Sequence, residues 1–278
     1  MKAAVLGSPV AHSLSPVLHR AAYAHLRLDW TYDALECREP DLAALVAGLG
    51  REWAGLSLTM PLKAAVLPLL DAADEATGLA GAANTLLLRE GRRVGANTDV
   101  PGMVAALAER GVPSPDGVRG RALVVGAGAT ARSALVALAL AGYHAVDLVA
   151  RRPEATSGLA RVAEQVGTEI VVHPWPAGGA LLGAAVVVAT VPAGAADLLA
   201  GQVPGSPGTL FDVVYSPWPT PLAAAWSAAG GLVVGGLDLL VHQAVGQVLL
   251  MTGCAVAADE LVAVMRHAAA AALGGAVS

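Results

Sequence analysis

Residues 121–142 read RALVVGAGATARSALVALALAG. The opening is apolar and strand-like. The close has small and apolar residues at helical spacing. Between them lies Gly126-Ala127-Gly128-Ala129-Thr130-Ala131, a G-x-G-x-x-A pattern. Gly126 allows a tight turn, Gly128 lets the backbone approach a diphosphate, and Ala131 permits close helix–strand packing. The helix N-terminus adds N–H donors and positive potential. A ligand-free turn would share these glycines, but a strand before and a helix after favour a bound nucleotide.

The next strand, 145–150, ends in Ala150 and is followed by Arg151 and Arg152. A carboxylate here would take the ribose 2′-hydroxyl of NAD and repel a 2′-phosphate. Two guanidiniums would grip that phosphate. Solvated arginines opening a helix are the alternative, and they would oppose the helix dipole. The expected cofactor is NADP(H).

Outward from this unit, short apolar runs alternate with helical patterns. Strands are expected at 2–6, 30–35, 54–58, 84–88, 122–125, 145–150, 169–172, 185–189, 209–214 and 232–234. Helices are expected at 15–27, 41–50, 100–110, 130–141, 154–166, 220–229, 238–252 and 258–272. Such alternation implies an α/β fold with mostly parallel sheet and helices on both faces. The turn-rich RGVPSPDGVRGR at 110–121 marks a boundary region. The expected organisation is two domains with a cleft between them. Residues 1–100 plus 237–278 form an α/β substrate-binding domain, and 101–236 form a Rossmann-type NADP domain.

The chain has 278 residues, a formal charge of −5, 55% apolar and 14% charged residues. This excludes a disordered chain and argues against a nucleic-acid binder, which needs a basic stripe. The apolar stretches 122–150 and 179–201 are broken by glycine, proline and charge, so buried elements are expected rather than membrane spans. Cys37 and Cys254 have no CxxC spacing, and MKAAVLGSPVAHS lacks the build of a secretory leader, so a cytoplasmic location is expected. The histidines at 12, 19, 25, 144, 173, 242 and 267 show no metal-ligand spacing, and no metal is expected.

Three further segments carry chemistry. Ser13-Leu14-Ser15-Pro16 suits a helix start, with Ser15 as N-cap and Pro16 at the first position. Its two hydroxyls can also seat a small carboxylate. Pro61 starts another helix with Lys63 on its first turn, and Lys63 is one of two lysines against fifteen arginines. Asn97-Thr98-Asp99 ends a strand, where Asp99 suits capping.

Together and in this order, Ser13-x-Ser15-Pro16, Ser57-Leu58-Thr59-Met60-Pro61-Leu62-Lys63, Gly81-Ala82-Ala83-Asn84-Thr85, Asn97-Thr98-Asp99, Gly126-Ala127-Gly128, Arg151 and GGLDLLVHQA (235–244) are specific. The chain resembles the shikimate dehydrogenases over essentially its whole length. That resemblance implies reversible NADPH-dependent reduction of 3-dehydroshikimate to shikimate. It implies Lys63 as general acid/base and Asp99 as its companion. Ser13 and Ser15 would hold the substrate carboxylate, Thr59, Asn84, Asp99 and Gln243 its hydroxyls, and Tyr215 would close over the carboxylate side. Cofactor contacts would come from Gly126 to Ala131, Arg151, Arg152, Thr190 and Gly236. An arginine could not replace Lys63, because a guanidinium does not release its proton.

The chain departs from the family pattern at Ser57, where Asn is common, at Val100, where Gly is common, and at Ala150-Arg151-Arg152, usually Asn-Arg-Thr. These bear on affinity and fine specificity. Alternatives are a quinate/shikimate or aminoshikimate dehydrogenase, a non-catalytic ligand sensor, and a tetrahydrofolate-type dehydrogenase. A monomer or a homodimer would both fit.

Overall fold

The structure, a computed structural model, describes residues 1–112, 120–152 and 156–274. Residues 113–119 of the expected boundary cluster, and the start of the helix expected at 154–166, lie outside the described residues. The chain divides into two compact units: Met1–Thr98 with Leu240–Ser278, and Asp99–Leu239.

The first unit contains β1 (Lys2–Gly7), α1 (Ser15–His25), β2 (Thr31–Glu36), α2 (Glu39–Ala47), β3 (Trp53–Leu58), α3 (Leu62–Ala65), β4 (Ala72–Ala73), α4 (Glu75–Ala80), β5 (Thr85–Arg89) and β6 (Arg92–Ala96). Its sheet order is β2-β1-β3-β5-β6-β4. β1 runs parallel to β2 and β3, while β5 is antiparallel to both β3 and β6. β4 again runs parallel to β6, so the mostly parallel sheet expected from the alternation is interrupted by the reversed strand β5. β1 is buried after its first residue, which fits a central strand covered on both faces.

β4, β6 and α4 have no counterpart in the sequence reading. β6 is RRVGA, too charged to look like a strand. It is set by the two-residue turn Glu90-Gly91, whose φ angles of 51° and 77° match the twist of a hairpin. α4 is a short helix whose Asp74 cap accepts from the Thr77 amide at 2.7 Å. α1 also starts differently from expectation. Ser15 is its first residue, Leu14 is the N-cap, and the Ser13 hydroxyl accepts from the Ser15 amide at 3.2 Å. The two candidate serines thus split the work: Ser13 serves the helix end, and Ser15 is left buried.

The second unit contains α5 (Asp99–Glu109), β7 (Ala122–Val125), α6 (Ala129–Leu140), β8 (Ala145–Ala150), α7 (Ser157–Val166), β9 (Glu169–Pro174), β10 (Val186–Ala189), β11 (Thr209–Asp212), α8 (Pro221–Ala228) and β12 (Leu232–Gly235). All its strands are parallel, in the order β12-β11-β10-β7-β8-β9. Two 3₁₀ segments, Trp175–Leu181 and Asp197–Gln202, stand where longer helices would be regular crossovers. They pack with Leu123, Val187, Leu210 and Trp226 into one apolar cluster. This is the doubly wound, Rossmann-type order, and the winding reverses between β7 and β10.

α9 (Gly236–Thr252) leads back to the first unit, and α10 (Ala258–Gly274) packs on α1 there. Among the described residues, no helix is long and apolar enough to cross a membrane.

Candidate active site

In the first unit, strand direction gathers the candidate residues. The parallel strands β1 and β3 both end toward the segments carrying Ser13, Ser15 and Thr59. β5 runs the other way, so its start, Asn84-Thr85, lies beside the end of β3, with Ser57 opposite Thr85. β6 turns back again, with Thr85 opposite Ala96, and so delivers Asn97 and Thr98 to the same end.

Asn84 is the centre of this cluster and is 1% exposed. Its side-chain oxygen accepts from the Thr98 amide at 2.8 Å and from the Thr85 hydroxyl at 2.9 Å. Its side-chain NH₂ donates to the Thr98 hydroxyl at 2.9 Å and to Gln243 Oε1 at 3.3 Å. These partners fix which way the amide faces. Gln243 is in turn held by its own donation to the Leu240 carbonyl at 2.8 Å.

Gln247, one turn further along α9, donates to the Asn84 carbonyl at 3.1 Å and to the Thr85 hydroxyl at 3.2 Å. Its Oε1 accepts from Ser57 at 2.7 Å, and Ser57 accepts from the Tyr32 hydroxyl at 2.6 Å. Ser57 does hydrogen-bond despite its short reach. Neither Tyr32 nor Gln247 appears among the residues expected from sequence.

Lys63 is half-buried on the single turn α3. Its carbonyl accepts from the Ala83 amide at 2.8 Å, which ties α3 to the residue next to Asn84. Thr59 precedes that turn. Its amide donates to the Leu6 carbonyl at 2.9 Å and its carbonyl accepts from the Leu62 amide at 2.8 Å. The backbone thus brings Thr59, Lys63, Asn84 and Gln243 to one end of the sheet.

Ser15 is anchored by His19, whose ring stacks on Tyr32 with centroids 3.9 Å apart. His19 Nδ1 lies 2.9 Å from the Ser15 carbonyl, so that nitrogen carries the hydrogen. Burial pushes the His19 pKa down to about 4, against the opposing pull of that hydrogen bond. The same loss of water drives the Tyr32 hydroxyl far above its ordinary range, so it stays a donor.

In the second unit, Gly126 and Thr190 follow β7 and β10 and flank the point where winding reverses. Gly126 has a φ of 126°, and a Cβ there would meet Thr190 Oγ1 at 2.3 Å. Thr190 Oγ1 donates to the Val125 carbonyl at 3.0 Å. α6 begins just beyond, with Gly128 as an N-cap that offers no side chain. Ala127, Ala129 and Thr130 are half-buried there, and Ala131 is buried. This is a cradle of main-chain donors without a capping competitor, and it fits a diphosphate.

Arg151 and Arg152 are exposed at the end of β8, the strand next to β7. Arg132 on α6 adds a cation the sequence reading left unassigned. Burial, and then repulsion from Arg161, lowers its pKa, and its stem lies 3.4 Å from the Cβ position of Gly158 at the head of α7.

Tyr215 lies half-buried after β11. Asp212 braces that segment, accepting from the Val214 amide at 3.1 Å and the Thr220 hydroxyl at 2.7 Å. Burial raises the Asp212 pKa, and those two bonds oppose the rise. Gly236 is pressed on the same segment: a Cβ there would sit 2.2 Å from the Val213 carbonyl oxygen. Asp99 opens α5 as a buried first-turn acid, favourable to the helix dipole. Among the described residues, no three His, Cys, Asp or Glu side chains gather as metal ligands.

The model of the shikimate dehydrogenase substrate-binding domain matches residues 5–86. A shikimate dehydrogenase (NADP(+)) of Citrifermentans bemidjiense is 38% identical over 261 residues, 90% of this chain and 89% of that protein. The chain belongs to the shikimate dehydrogenase family.

Solved members of the family share its architecture. The Mycobacterium tuberculosis shikimate dehydrogenase is 40% identical, with a TM-score of 0.85 over 96% of this chain and 99% of that one. The Thermus thermophilus shikimate 5-dehydrogenase, solved with NADP(H) and shikimate, is 34% identical, with a TM-score of 0.82 over 96% and 99%. Of the family's motifs, SxSP, TMPLK, the Asn84 segment, Asn97-Thr98 and Gln243 fall in the first unit, and Asp99 opens the second. The glycine turn, Arg151, Arg152, Thr190, Tyr215 and Gly236 fall in the second.

Proposed function

We propose that this chain reversibly reduces 3-dehydroshikimate to shikimate with NADPH. The observation carrying the proposal is the Asn84-centred network, which presents oriented polar groups beside the turn holding Lys63. Its support from relatives is the Citrifermentans protein's name and the Thermus protein's two ligands.

NADPH, when bound, supplies the hydride that reduces the ring ketone. The chain's residues do the rest. Gly126, Gly128 and the first turn of α6 would take the diphosphate, and Arg151 and Arg152 the 2′-phosphate. Ser13 and Ser15 would hold the substrate carboxylate; Thr59, Asn84, Asp99 and Gln243 its hydroxyls. As hydride reaches the carbonyl carbon, the C=O electron pair moves to oxygen. The Lys63 ammonium gives that oxygen a proton and becomes a neutral amine. In reverse the amine takes the hydroxyl proton. In this reading the first unit supplies all of these substrate groups except Asp99, and the second binds NADP. The two free thiols, Cys37 and Cys254, suit a reducing, cytoplasmic compartment.

Absorbance at the nicotinamide band tests this. Shikimate with NADP+ should be oxidised, and quinate should be oxidised more slowly. Lys63→Ala should lower kcat by about 10²- to 10⁴-fold, with shikimate affinity by calorimetry little changed. Near-normal turnover in that variant would refute the proton-transfer role.

A further inference from the structure

The geometry points to Tyr32 as a positioning residue for the substrate seat, acting through Ser57 and Gln247 on Asn84. The inference rests on the functional reading above and deepens it.

The direction of each hydrogen bond follows from chemistry. An amide oxygen only accepts, so Ser57 must spend its one proton on Gln247 Oε1 across 2.7 Å. The 2.6 Å bond between Ser57 and Tyr32 can then only be a donation from Tyr32. With its oxygen receiving Ser57, Gln247 is fixed with its NH₂ toward the Asn84 carbonyl and the Thr85 hydroxyl. Thr85, already receiving from Gln247, gives its proton to Asn84 Oδ1. The Asn84 oxygen is therefore turned inward and its NH₂ toward Gln243. One phenolic proton at the start of this chain thus orders Ser57, Gln247 and Thr85, and adds to the hold that the Thr98 amide has on the Asn84 side chain.

The groups are sealed: Tyr32 is 0% exposed, Ser57 3% and Gln247 1%. Water cannot substitute readily for a lost member. The Tyr32 ring is held independently, stacked on His19 and tilted against Tyr23 at 6.4 Å. Removing the hydroxyl therefore leaves the packing in place and frees Ser57 to rotate. His19, on which the Tyr32 ring stacks, also holds the Ser15 carbonyl, which places Tyr32 next to the segment of the proposed carboxylate seat as well.

The test is steady-state kinetics of Tyr32→Phe, with shikimate and NADP+ varied in turn. KM for shikimate should rise about 5- to 50-fold, the scale of one unsatisfied buried partner, while KM for NADP+ stays within twofold. Gln247→Leu should do the same. The double variant should be no worse than twice the poorer single variant, because both break one relay. If Tyr32→Phe does not fold, Ser57→Ala carries the same expectation. A shikimate KM within twofold of wild type, a parallel rise in both KM values, or multiplying effects in the double variant would each overturn the inference. A wild-type protein that does not oxidise shikimate would overturn the functional reading, and this inference with it. An active wild type with an indifferent Tyr32→Phe would overturn the inference alone.

Discussion

Lowering pH should loosen this protein through His19. The ring is 0% exposed, and its Nδ1 hydrogen is committed to the Ser15 carbonyl. Its Nε2 meets no hydrogen-bond partner among the described residues. A proton added there would be a buried, unpartnered charge, which is why the pKa falls from 6.5 to about 4. Because the folded value lies below the unfolded one, the stability is fully present above about pH 6.5 and is lost as pH falls toward 4. Each pH unit in that window costs about 1.4 kcal/mol. Between pH 6.5 and 5 the loss is about 2 kcal/mol, a substantial part of the 5–15 kcal/mol typical of folded proteins.

Urea unfolding at several pH values, followed by tryptophan fluorescence, reads this directly. His19→Leu provides the control. It forfeits the Ser15 bond, about 1 kcal/mol at pH 7, but cannot titrate. Its stability should vary less with pH, and the two curves should cross near pH 5.5. Parallel curves for wild type and His19→Leu would refute the account of this histidine.

Gly126→Ala should weaken the cofactor cradle. It places a side chain at φ 126° and drives Thr190 off its bond to Val125, for a combined cost of about 2–4 kcal/mol. KM for NADP+ should rise at least tenfold and Tm should fall, while calorimetric affinity for shikimate stays within twofold. Arg151→Ala/Arg152→Ala should raise KM for NADP+ much more than for NAD+. Equal rises would remove the 2′-phosphate role from these arginines.

The glycine turn was legible because its requirement is local: a strand, a positive φ and a helix start written in consecutive residues. The same holds for α6, β8 and the arginines at its end. The hairpin β5–β6 was not legible, because Glu90 occupies a left-handed position usually given to Asn, Asp or Gly. β6 also hides its pairing behind two arginines. Tyr32 in a strand reads as an ordinary core aromatic. Its significance depends on Gln247, whose contact with Ser57 spans 190 residues. Gln247 itself left a trace, since it lies four residues after Gln243 and so shares its helix face.

The first unit is assembled from both ends of the polypeptide, with the second unit spliced between them. On the ribosome this imposes an order. Residues 99–239 are contiguous and can close as soon as they emerge, whereas the earlier segment must wait for its tail. Until residues 240–274 arrive, α1 lacks α10 and Asn84 lacks both glutamines. A nascent chain arrested before α9 would carry all six strands of the first sheet but an uncovered face on α1, a natural client for a chaperone.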